Sequence, residues 1–323
     1  MKRLFGLLML AAMAAPASAQ IAVDGTRDGA YGGPALVLIG TDGVTPSTAV
    51  QTVQTQFGDN QSEMNAGYAS ISGGRLYLML TGNIQDTFNK LEIFIDSKVG
   101  GQAVFDSSGN DDSNRMDGLV FDAGFTADYH LIARRGNFGG PRFDFDFADL
   151  AAQSASGYFD IFTSGDNFGS GSTGTGVNAL PIDVAYDGSN SAGVTGGTGP
   201  ADQTAAAAVT TGLELSIALS DLGYIGGPLH VMVGQNGDGH HFWSNQFLGG
   251  LPINLGNDNT PPLDPGTSNL GGDGAGNFTG EGAVNMNDYL GNQFFTVVAI
   301  PEPASVALAG LGLLGVLLAV RRK

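Results

Sequence analysis

Phe143-Asp144-Phe145-Asp146-Phe147 alternates aromatic rings and carboxylates without a break. Side chains along a β-strand point alternately to opposite faces of the sheet, so the three rings lie on one side and the two carboxylates on the other. The pattern predicts a half-buried strand, with its rings in a core and its carboxylates in solvent.

Comparable apolar runs recur on both sides of this stretch, each bounded by clusters of Gly, Asn, Asp and Ser. Runs of this kind predict strands. Ser72-Gly73-Gly74 separates two of them and predicts a hairpin turn. In chain order, the predicted strands are residues 64–71, 76–80, 91–95, 119–121, 129–133, 143–147, 158–162, 213–219, 229–233 and 294–298.

Helical patterns are short between the two ends of the chain. No window of about 11 residues there sustains a helical apolar stripe, although residues 205–209 and 219–222 can each form a turn. Glycine contributes 52 of the 323 residues, which favours tight turns and irregular loops. Residues 164–175, 188–204 and 254–282 are the loop-like stretches. The predicted fold is all-β, a single antiparallel β-sandwich domain over residues 20–298 with long Gly-rich loops.

The N-terminus has the pattern of a secretory signal peptide. Lys2 and Arg3 precede an apolar stretch, and Ala17-Ser18-Ala19 supplies the small residues at which signal peptidase cuts. Cleavage is therefore predicted between Ala19 and Gln20, and residues 1–19 are not expected to belong to the folded domain.

The C-terminus has three elements in a fixed order. Pro301-Glu302-Pro303 comes first, then an uncharged apolar run over residues 304–320, and then Arg321-Arg322-Lys323. At a rise of about 1.5 Å per residue, the run is just long enough for a transmembrane helix. The cations after it orient that end towards the cytoplasm and place the preceding domain outside.

These three elements resemble the PEP-CTERM sorting signal of bacterial surface proteins, over residues 299–323. The resemblance implies recognition at Pro301, Glu302 and Pro303 by an exosortase in the membrane, which processes the tail. It also implies a protein that is tethered to the membrane first and then reaches the cell surface or extracellular matrix. The alternative is an ordinary C-terminal anchor that is retained.

A second resemblance concerns the scaffold. Four segments are similar to the opening, the central hairpin and the late strand and turn of family 9 carbohydrate-binding modules and DOMON-like sandwiches: residues 22–31, 76–78, 91–96 and 212–223. The resemblance implies a jelly-roll or DOMON-like sandwich. The proline usual before the late turn is absent. A binding activity is not carried over, because the family holds sugar between aromatic rings and Trp243 has no family counterpart.

Composition limits the partners. The formal net charge is −18, and five of the 13 Lys and Arg residues lie in the two terminal segments. Such an acidic domain repels nucleic acid, and divalent cations or basic partners are favoured. Cysteine is absent, so an exported domain cannot use disulfides.

A cluster of oxygen-bearing side chains suggests a structural Ca²⁺, since calcium takes six to eight such ligands. The EF-hand spacing fails because Met116 stands where a third oxygen is needed. The alternative is a solvated acidic turn. The predicted ligands are Asp106, Asn110, Asp111, Asp112, Asn114 and Asp117.

A second candidate site follows the strand predicted at residues 229–233. His240, His241, Trp243 and Asn245 combine an aromatic ring with polar groups, as carbohydrate sites commonly do. The alternative is that Trp243 plugs one end of the core and the histidines cover it. Adjacent histidines on a strand would point to opposite faces, so a shared metal requires a bend.

Catalytic motifs are missing from the sequence: it has no Cys, no Gly-x-Ser-x-Gly and no His-Glu-x-x-His. Residues 169–174 match a dinucleotide fingerprint by letter, but no helix pattern follows. Paired carboxylates for glycoside hydrolysis remain open, because their separation depends on the fold. Arg134-Arg135 is interpreted as a hairpin end or solvated face, with an anion site as the alternative.

The sequence therefore predicts a non-enzymatic, exported surface or matrix protein that binds exopolysaccharide or another glycan. One alternative is a structural or adhesive protein without a defined ligand. The other is a secreted glycan hydrolase.

Overall fold

The structure is a computed structural model. It describes residues 21–31, 48–162, 167–197, 199–240, 242–249, 284–289 and 291–298. Ile21–Ala299 form one compact unit. The predicted signal peptide and the predicted helix at 304–320 lie outside the described residues. Within the described residues, no helix is long and apolar enough to cross a membrane.

The described residues form thirteen strands and one short α-helix. In chain order the strands are β1 (Thr48–Val50), β2 (Glu63–Ser72), β3 (Arg75–Asn83), β4 (Thr87–Asp96), β5 (Tyr129–Asn137), β6 (Pro141–Asp149), β7 (Ser154–Tyr158), β8 (Phe168–Ser172), β9 (Asp183–Asp187), β10 (Gly212–Ala218), β11 (Leu229–Asn236), β12 (Trp243–Leu248) and β13 (Phe294–Val297). The helix α1 spans Gln203–Ala208. Among the described residues, short 3₁₀ segments lie at Gly29–Tyr31, Asn110–Met116 and Met286–Asp288, and the second is interrupted by a kink at Asp111 and Asp112.

The strands form two antiparallel sheets. The six-stranded sheet has the order β1-β2-β3-β10-β9-β8, and the seven-stranded sheet has the order β12-β11-β4-β5-β6-β7, with β13 also paired to β11. Each hairpin follows from local turn residues: Gly73 and Gly74, both at positive φ, connect β2 to β3. This arrangement confirms the all-β prediction.

The main core lies between the two sheets. It takes alternate residues of each strand, such as Leu78 from β3, Leu215 from β10, Ile93 from β4 and Phe145 from β6. Leu78 and Leu215 are register partners in the six-stranded sheet. The alternation of apolar residues seen in the sequence therefore selects the faces that pack against each other.

Two further apolar clusters cover the outer faces of the sheets. On the seven-stranded sheet, Phe94, Met232 and Trp243 pack against residues of the long β4–β5 connection, including Phe105 and Phe121. On the six-stranded sheet, Tyr68 and Met79 pack against the N-terminal segment and α1. Neither sheet therefore presents a simple solvent face.

Several local predictions were wrong. Residues 119–121 form only isolated bridges instead of a strand, and the strand predicted at 158–162 ends at Tyr158. β8 forms inside the stretch at 164–175 that was predicted to be a loop, and β12 replaces the predicted loop around Trp243. Both segments form strands because they pair with neighbouring strands, and amino-acid composition does not indicate such pairing.

The opening prediction for residues 143–147 needs one correction. The three rings do enter the main core, but Asp144 and Asp146 are also buried, with exposures of 0% and 1%. The strand is therefore buried on both faces, and its outer face carries carboxyl groups away from water.

Candidate functional site

Ionisable side chains on three neighbouring strands converge on the outer face of the seven-stranded sheet. Strand alternation places them there, since their neighbours Leu91, Leu131 and Phe145 point into the main core. Two covering segments add one residue each. We call the group the buried ionic cluster: Lys90, Glu92, Asp111, His130, Arg134, Asp144, Asp146 and His240.

The covering residues adopt unusual backbone angles. Asp111, in the Asn110–Met116 segment, has φ of 50°, and His240, in the turn after β11, has φ of 61°. Residues other than glycine rarely adopt positive φ, and such conformations persist where the surrounding structure imposes them. Both side chains are held over the strand that carries Lys90 and Glu92.

Glu92 lies at the centre of the cluster and is fully buried. One carboxylate oxygen, Oε2, lies 2.8 Å from Nε2 of His130, and the other, Oε1, lies 2.6 Å from Nδ1 of His240. The side-chain amide of Asn236 also donates to Oε1 over 3.2 Å. Every partner donates a hydrogen bond to the charged form, so the carboxylate is well satisfied in the interior.

Two oxygen acceptors and the ring of His240 surround the ammonium group of Lys90. Nζ lies 2.9 Å from Oδ2 of Asp111, 2.7 Å from the carbonyl oxygen of Asp238 and 3.0 Å from Nε2 of His240. The side chain is 2% exposed, whereas that of Asp111 is 24% exposed. A buried ammonium with this full set of partners has a fixed position.

Arg134 connects Asp111 to the carboxylates of β6. Its guanidinium contacts Asp146, lies 3.2 Å from Oδ2 of Asp111 and 3.7 Å from Oδ2 of Asp144. Arg142, nearer the surface, donates to Asp144 over 2.6 Å. The prediction that the Arg134-Arg135 doublet is a solvated face is therefore wrong for Arg134, which cross-strand pairing buries among carboxylates.

The cluster shifts the pKa values of its members. Burial opposes ionisation of Glu92, but the charge of His240 and the hydrogen bonds from both histidines outweigh it and hold the pKa of Glu92 well below its usual range. Burial likewise opposes ionisation of Asp111, yet the contacts with His240, Lys90 and Arg134 lower its pKa to about 2. The pKa of His240 is raised, because the charge of Glu92 and the hydrogen bonds to Asp111 and Glu92 exceed the effect of burial.

A separate surface feature is an open cleft of about 510 Å³ at the end of the sandwich where β3 turns into β4. Its lining is polar, and we call it the amide-lined cleft: Asn60, Gln61, Asn83, Ile84, Gln85, Asp86, Arg135, Asn167, Gly188, Ser189 and Asn190.

The base of this cleft is held by amide hydrogen bonds. Nδ2 of Asn83 donates to the carbonyl oxygens of Gly188 and Asn190 over 3.3 and 3.1 Å, and Nδ2 of Asn190 donates to Glu63 over 2.9 Å. Asn167 donates to the carbonyl of Gly188. Because the wall residues fix one another, the cleft has a defined shape before any ligand binds.

Most residues of the predicted glycan loop occupy structural positions. Trp243 is 0% exposed and stacks on Phe247, with ring centroids 5.3 Å apart, so its ring offers no surface for a sugar. Asn245 is buried, accepting from the backbone of Gln56 and donating to that of Gln54. His240 belongs to the buried ionic cluster, and His241 lies outside the described residues. The apolar packing of β12 decides this outcome, as the core-plug alternative expects.

The predicted calcium ligands do not converge in the structure. Asp111 faces the cations of the buried ionic cluster, and Asp117 accepts from the backbone of Ser107 over 2.8 Å. Asp106, Asp112 and Asn114 are exposed, and Asn110 is half-buried. In the part of the chain that the structure describes, no group of three or more His, Asp or Glu side chains could hold a metal ion.

Sequence reasoning missed Lys90, Glu92 and His130. A usable signal was present, because Lys90-Leu91-Glu92-Ile93 alternates in the same way as residues 143–147. His130 also stands between apolar residues that enter the main core. Opposite charges at outward positions of neighbouring strands indicate a paired network when another segment covers that face.

Two segments with a resemblance to carbohydrate-binding modules meet in the structure. Backbone N–H groups of Asp24 and Gly25 donate to Oε2 of Glu214 over 2.9 and 3.0 Å. The hydroxyl of Tyr31 donates to Oε1 over 2.9 Å. The contacts fasten the N-terminal segment to β10, which is a structural role.

Comparison with known proteins identifies the C-terminal tail alone. Residues 299–323 match the PEP-CTERM protein-sorting motif. No curated protein and no solved structure matches the chain. The chain thus carries the sorting signal of an exosortase target, as its tail predicted, and is an exported protein.

Proposed function

We propose that the exported domain is a non-enzymatic, glycan-binding protein of the cell surface or extracellular matrix, and that the amide-lined cleft is its binding site. The observation that supports this function is the lining of the cleft. The lining also includes Gln61 and Gln85, which take no part in the bonds that hold the base, and their amide side chains both donate and accept, which suits the hydroxyl groups of a sugar. The volume of about 510 Å³ lies within the ordinary range of small-ligand sites.

The charge of the cleft favours an uncharged saccharide. Arg135 and Asp86 are its ionisable lining residues, one of each sign. The chain as a whole has a net charge of −18, which disfavours the approach of a polyanion. A neutral exopolysaccharide is therefore the expected partner.

The same lining supports binding without hydrolysis. Glycoside hydrolases generally place two carboxyl groups on either side of the scissile bond. Among the lining residues of this cleft, Asp86 alone carries a carboxyl group. A binding protein is therefore proposed in preference to a secreted hydrolase.

A steric block tests the site. Ser189 is an exposed lining residue, and Ser189→Trp should fill the cleft without disturbing the core. The matched control is Ser220→Trp. Ser220 is also exposed, and it follows the C-terminal end of β10, outside the residues that line the cleft. We expect wild type and Ser220→Trp to bind the same neutral glycans on an array, and Ser189→Trp to lose at least tenfold in affinity.

Two results would count against this proposal. Absence of binding to any glycan by the folded wild type favours the structural or adhesive alternative. Equal binding by both tryptophan variants would place a glycan site elsewhere.

Processing of the tail is proposed to follow recognition of Pro301, Glu302 and Pro303 by exosortase. Mass spectrometry of the surface fraction should then find C-termini that lack Arg321-Arg322-Lys323. Intact Lys323 in that fraction would instead support a retained anchor.

A further inference from the structure

Lys90 and Asp111 have the geometry of a reactive pair. Nζ of Lys90 lies 2.9 Å from Oδ2 of Asp111, and the lysine side chain is 2% exposed. Transfer of one proton from the ammonium to the carboxylate leaves both groups neutral, and at this distance they need little movement to react. A neutral amine beside a carboxylic acid is the combination from which an amide forms.

His240 is placed to transfer that proton. Its Nε2 lies 3.0 Å from Nζ of Lys90 and 3.1 Å from Oδ2 of Asp111. Glu92 holds the opposite ring nitrogen, Nδ1, over 2.6 Å. The histidine thus contacts both reacting groups while a buried carboxylate orients it, as a general acid–base requires.

Arg134 supplies a fixed positive charge at the carboxyl group. Its NH1 lies 3.2 Å from Oδ2 of Asp111 and also contacts Asp146. A cation in this position stabilises the negative charge that develops on the carboxyl oxygens when a nucleophile adds to the carbon. Asp146 keeps the guanidinium in place from its other side.

From this geometry we propose that Lys90 and Asp111 form an intramolecular isopeptide bond, with His240 as the proton carrier and Glu92 as its positioning residue. His240 gives its Nε2 proton to Oδ2 of Asp111 and takes one from the Lys90 ammonium, and the Nζ lone pair then attacks Cγ of Asp111. The bond from Cγ to one carboxyl oxygen breaks. That oxygen leaves as water, with one proton from His240 and one from the attacking nitrogen. An ammonium and a carboxylate thus become one amide and one water, with no oxidant or other reactant.

The location of the bond is consistent with a covalent fastening. It would join β4 to the Asn110–Met116 segment, in which Asp111 and Asp112 both have positive φ. The partly exposed Asp111 gives the released water a path to solvent. The chain has no cysteine, so an amide is a cross-link that this exported domain can form from the residues it possesses.

Lys98 provides the internal comparison. It and Lys90 are the lysines between the terminal segments, but Nζ of Lys98 contacts the hydroxyl of Tyr129, over 2.9 Å. A phenol cannot form an amide. Lys98→Arg should therefore leave the modification unchanged.

The test is peptide mass spectrometry of the full chain, collected after export and digested with trypsin under denaturing conditions. The bond blocks cleavage after Lys90, so residues 76–98 should appear joined to residues 99–115, with the pair lighter by one water. Tandem fragmentation should place the branch at Lys90 and Asp111. Wild type and Lys98→Arg should both give this branched peptide, and Lys90→Arg and Asp111→Ala should give none.

His240→Gln tests the proton carrier, with the same digestion followed over time after synthesis. We expect at least a tenfold slower appearance of the branched peptide, while a formation rate equal to that of wild type would exclude the role of His240. Complete cleavage after Lys90 in the folded wild type overturns the isopeptide proposal. A water deficit without the branched peptide does the same, because a cyclised Asp-Gly site elsewhere would account for it.

Discussion

The two faces of β6 differ in chemistry but not in burial. On one face, Phe143, Phe145 and Phe147 join the apolar core between the sheets. On the other, Asp144 and Asp146 lie among Arg134, Arg142 and the covering Asn110–Met116 segment. All five side chains are essentially inaccessible to solvent.

The comparison shows that alternation predicts which face of the sheet a side chain lies on. Whether that face is buried depends on the segment that covers it. Rings on the inner face are stabilised by area removed from water. Carboxylates on the outer face pay a desolvation cost that only nearby cations offset. The two faces should therefore respond differently to substitution.

The largest effect is expected for the apolar face. Phe145→Ala removes a fully buried ring from the main core, and the lost transfer energy plus the cavity should lower the free energy of unfolding by about 3–5 kcal/mol. The matched control is Phe138→Ala, at a hairpin position that is 79% exposed, with an expected change of at most about 0.5 kcal/mol. Urea denaturation measures both. Similar losses would show that the two rings are not distinguished by burial.

A somewhat smaller effect is expected for the ionic face. Arg134→Met leaves Asp146 buried without its cation and should cost about 3 kcal/mol, because the unpaired charge keeps its desolvation penalty. Arg135→Met, at the neighbouring half-buried arginine, should cost less than about 1 kcal/mol. If the two variants unfolded at the same urea concentration, the buried ionic cluster would have no special role in stability.

The smallest effect should appear as a pH dependence. Burial raises the pKa of Asp96 to about 6, from an ordinary value of 3.8. At pH values between the ordinary pKa and the raised pKa, the folded protein binds more protons than the unfolded chain, so its stability falls as the pH rises. The raised pKa of His240 acts in the same direction, because its contribution is present below the unfolded value and is lost above the folded one.

At more acidic pH, the stability of the folded protein depends on Glu92 and Asp111. Their lowered pKa values contribute stability that is complete above the unfolded values and is lost only as the pH falls towards about 2. The urea midpoint should therefore be higher at about pH 5 than at about pH 8, with at most about 1 kcal/mol from the half-buried Asp96. Asp96→Asn should flatten the curve, and a midpoint that rises with pH in wild type would contradict the assignment.

Most of the sheet framework is predictable from local pattern. Residues 64–71, 76–80 and 91–95 all lie in the observed strands, and 213–219 does so apart from Leu219, because each alternates apolar residues between turn signals. β8, in a Gly- and Ser-rich stretch, and β12, around Trp243, were not predictable in this way. Their backbone order comes from pairing with β9 and β11, and strand formation that depends on a pairing partner is only weakly indicated by the residues of the segment itself.

The candidate site was less predictable than the fold. Asp111 was singled out as a calcium ligand and His240 as a ligand-binding residue, and the structure instead brings them together at 3.1 Å, beside Lys90. Neither spacing nor composition relates positions 90, 111 and 240. The positive φ at Asp111 and His240, which turns both side chains onto the sheet, is likewise invisible in the sequence.

The sequence by itself determined that the chain is exported and on which face of the sheet each side chain of a strand lies. A sorting signal is recognised as a short contiguous segment, here residues 299–323, and side-chain alternation follows from the geometry of a single strand. Only the tertiary structure decided that Asp144 and Asp146 are buried and that Lys90, Asp111 and His240 meet. Burial and close approach depend on which distant segment covers a face, and this is a property of the packed chain.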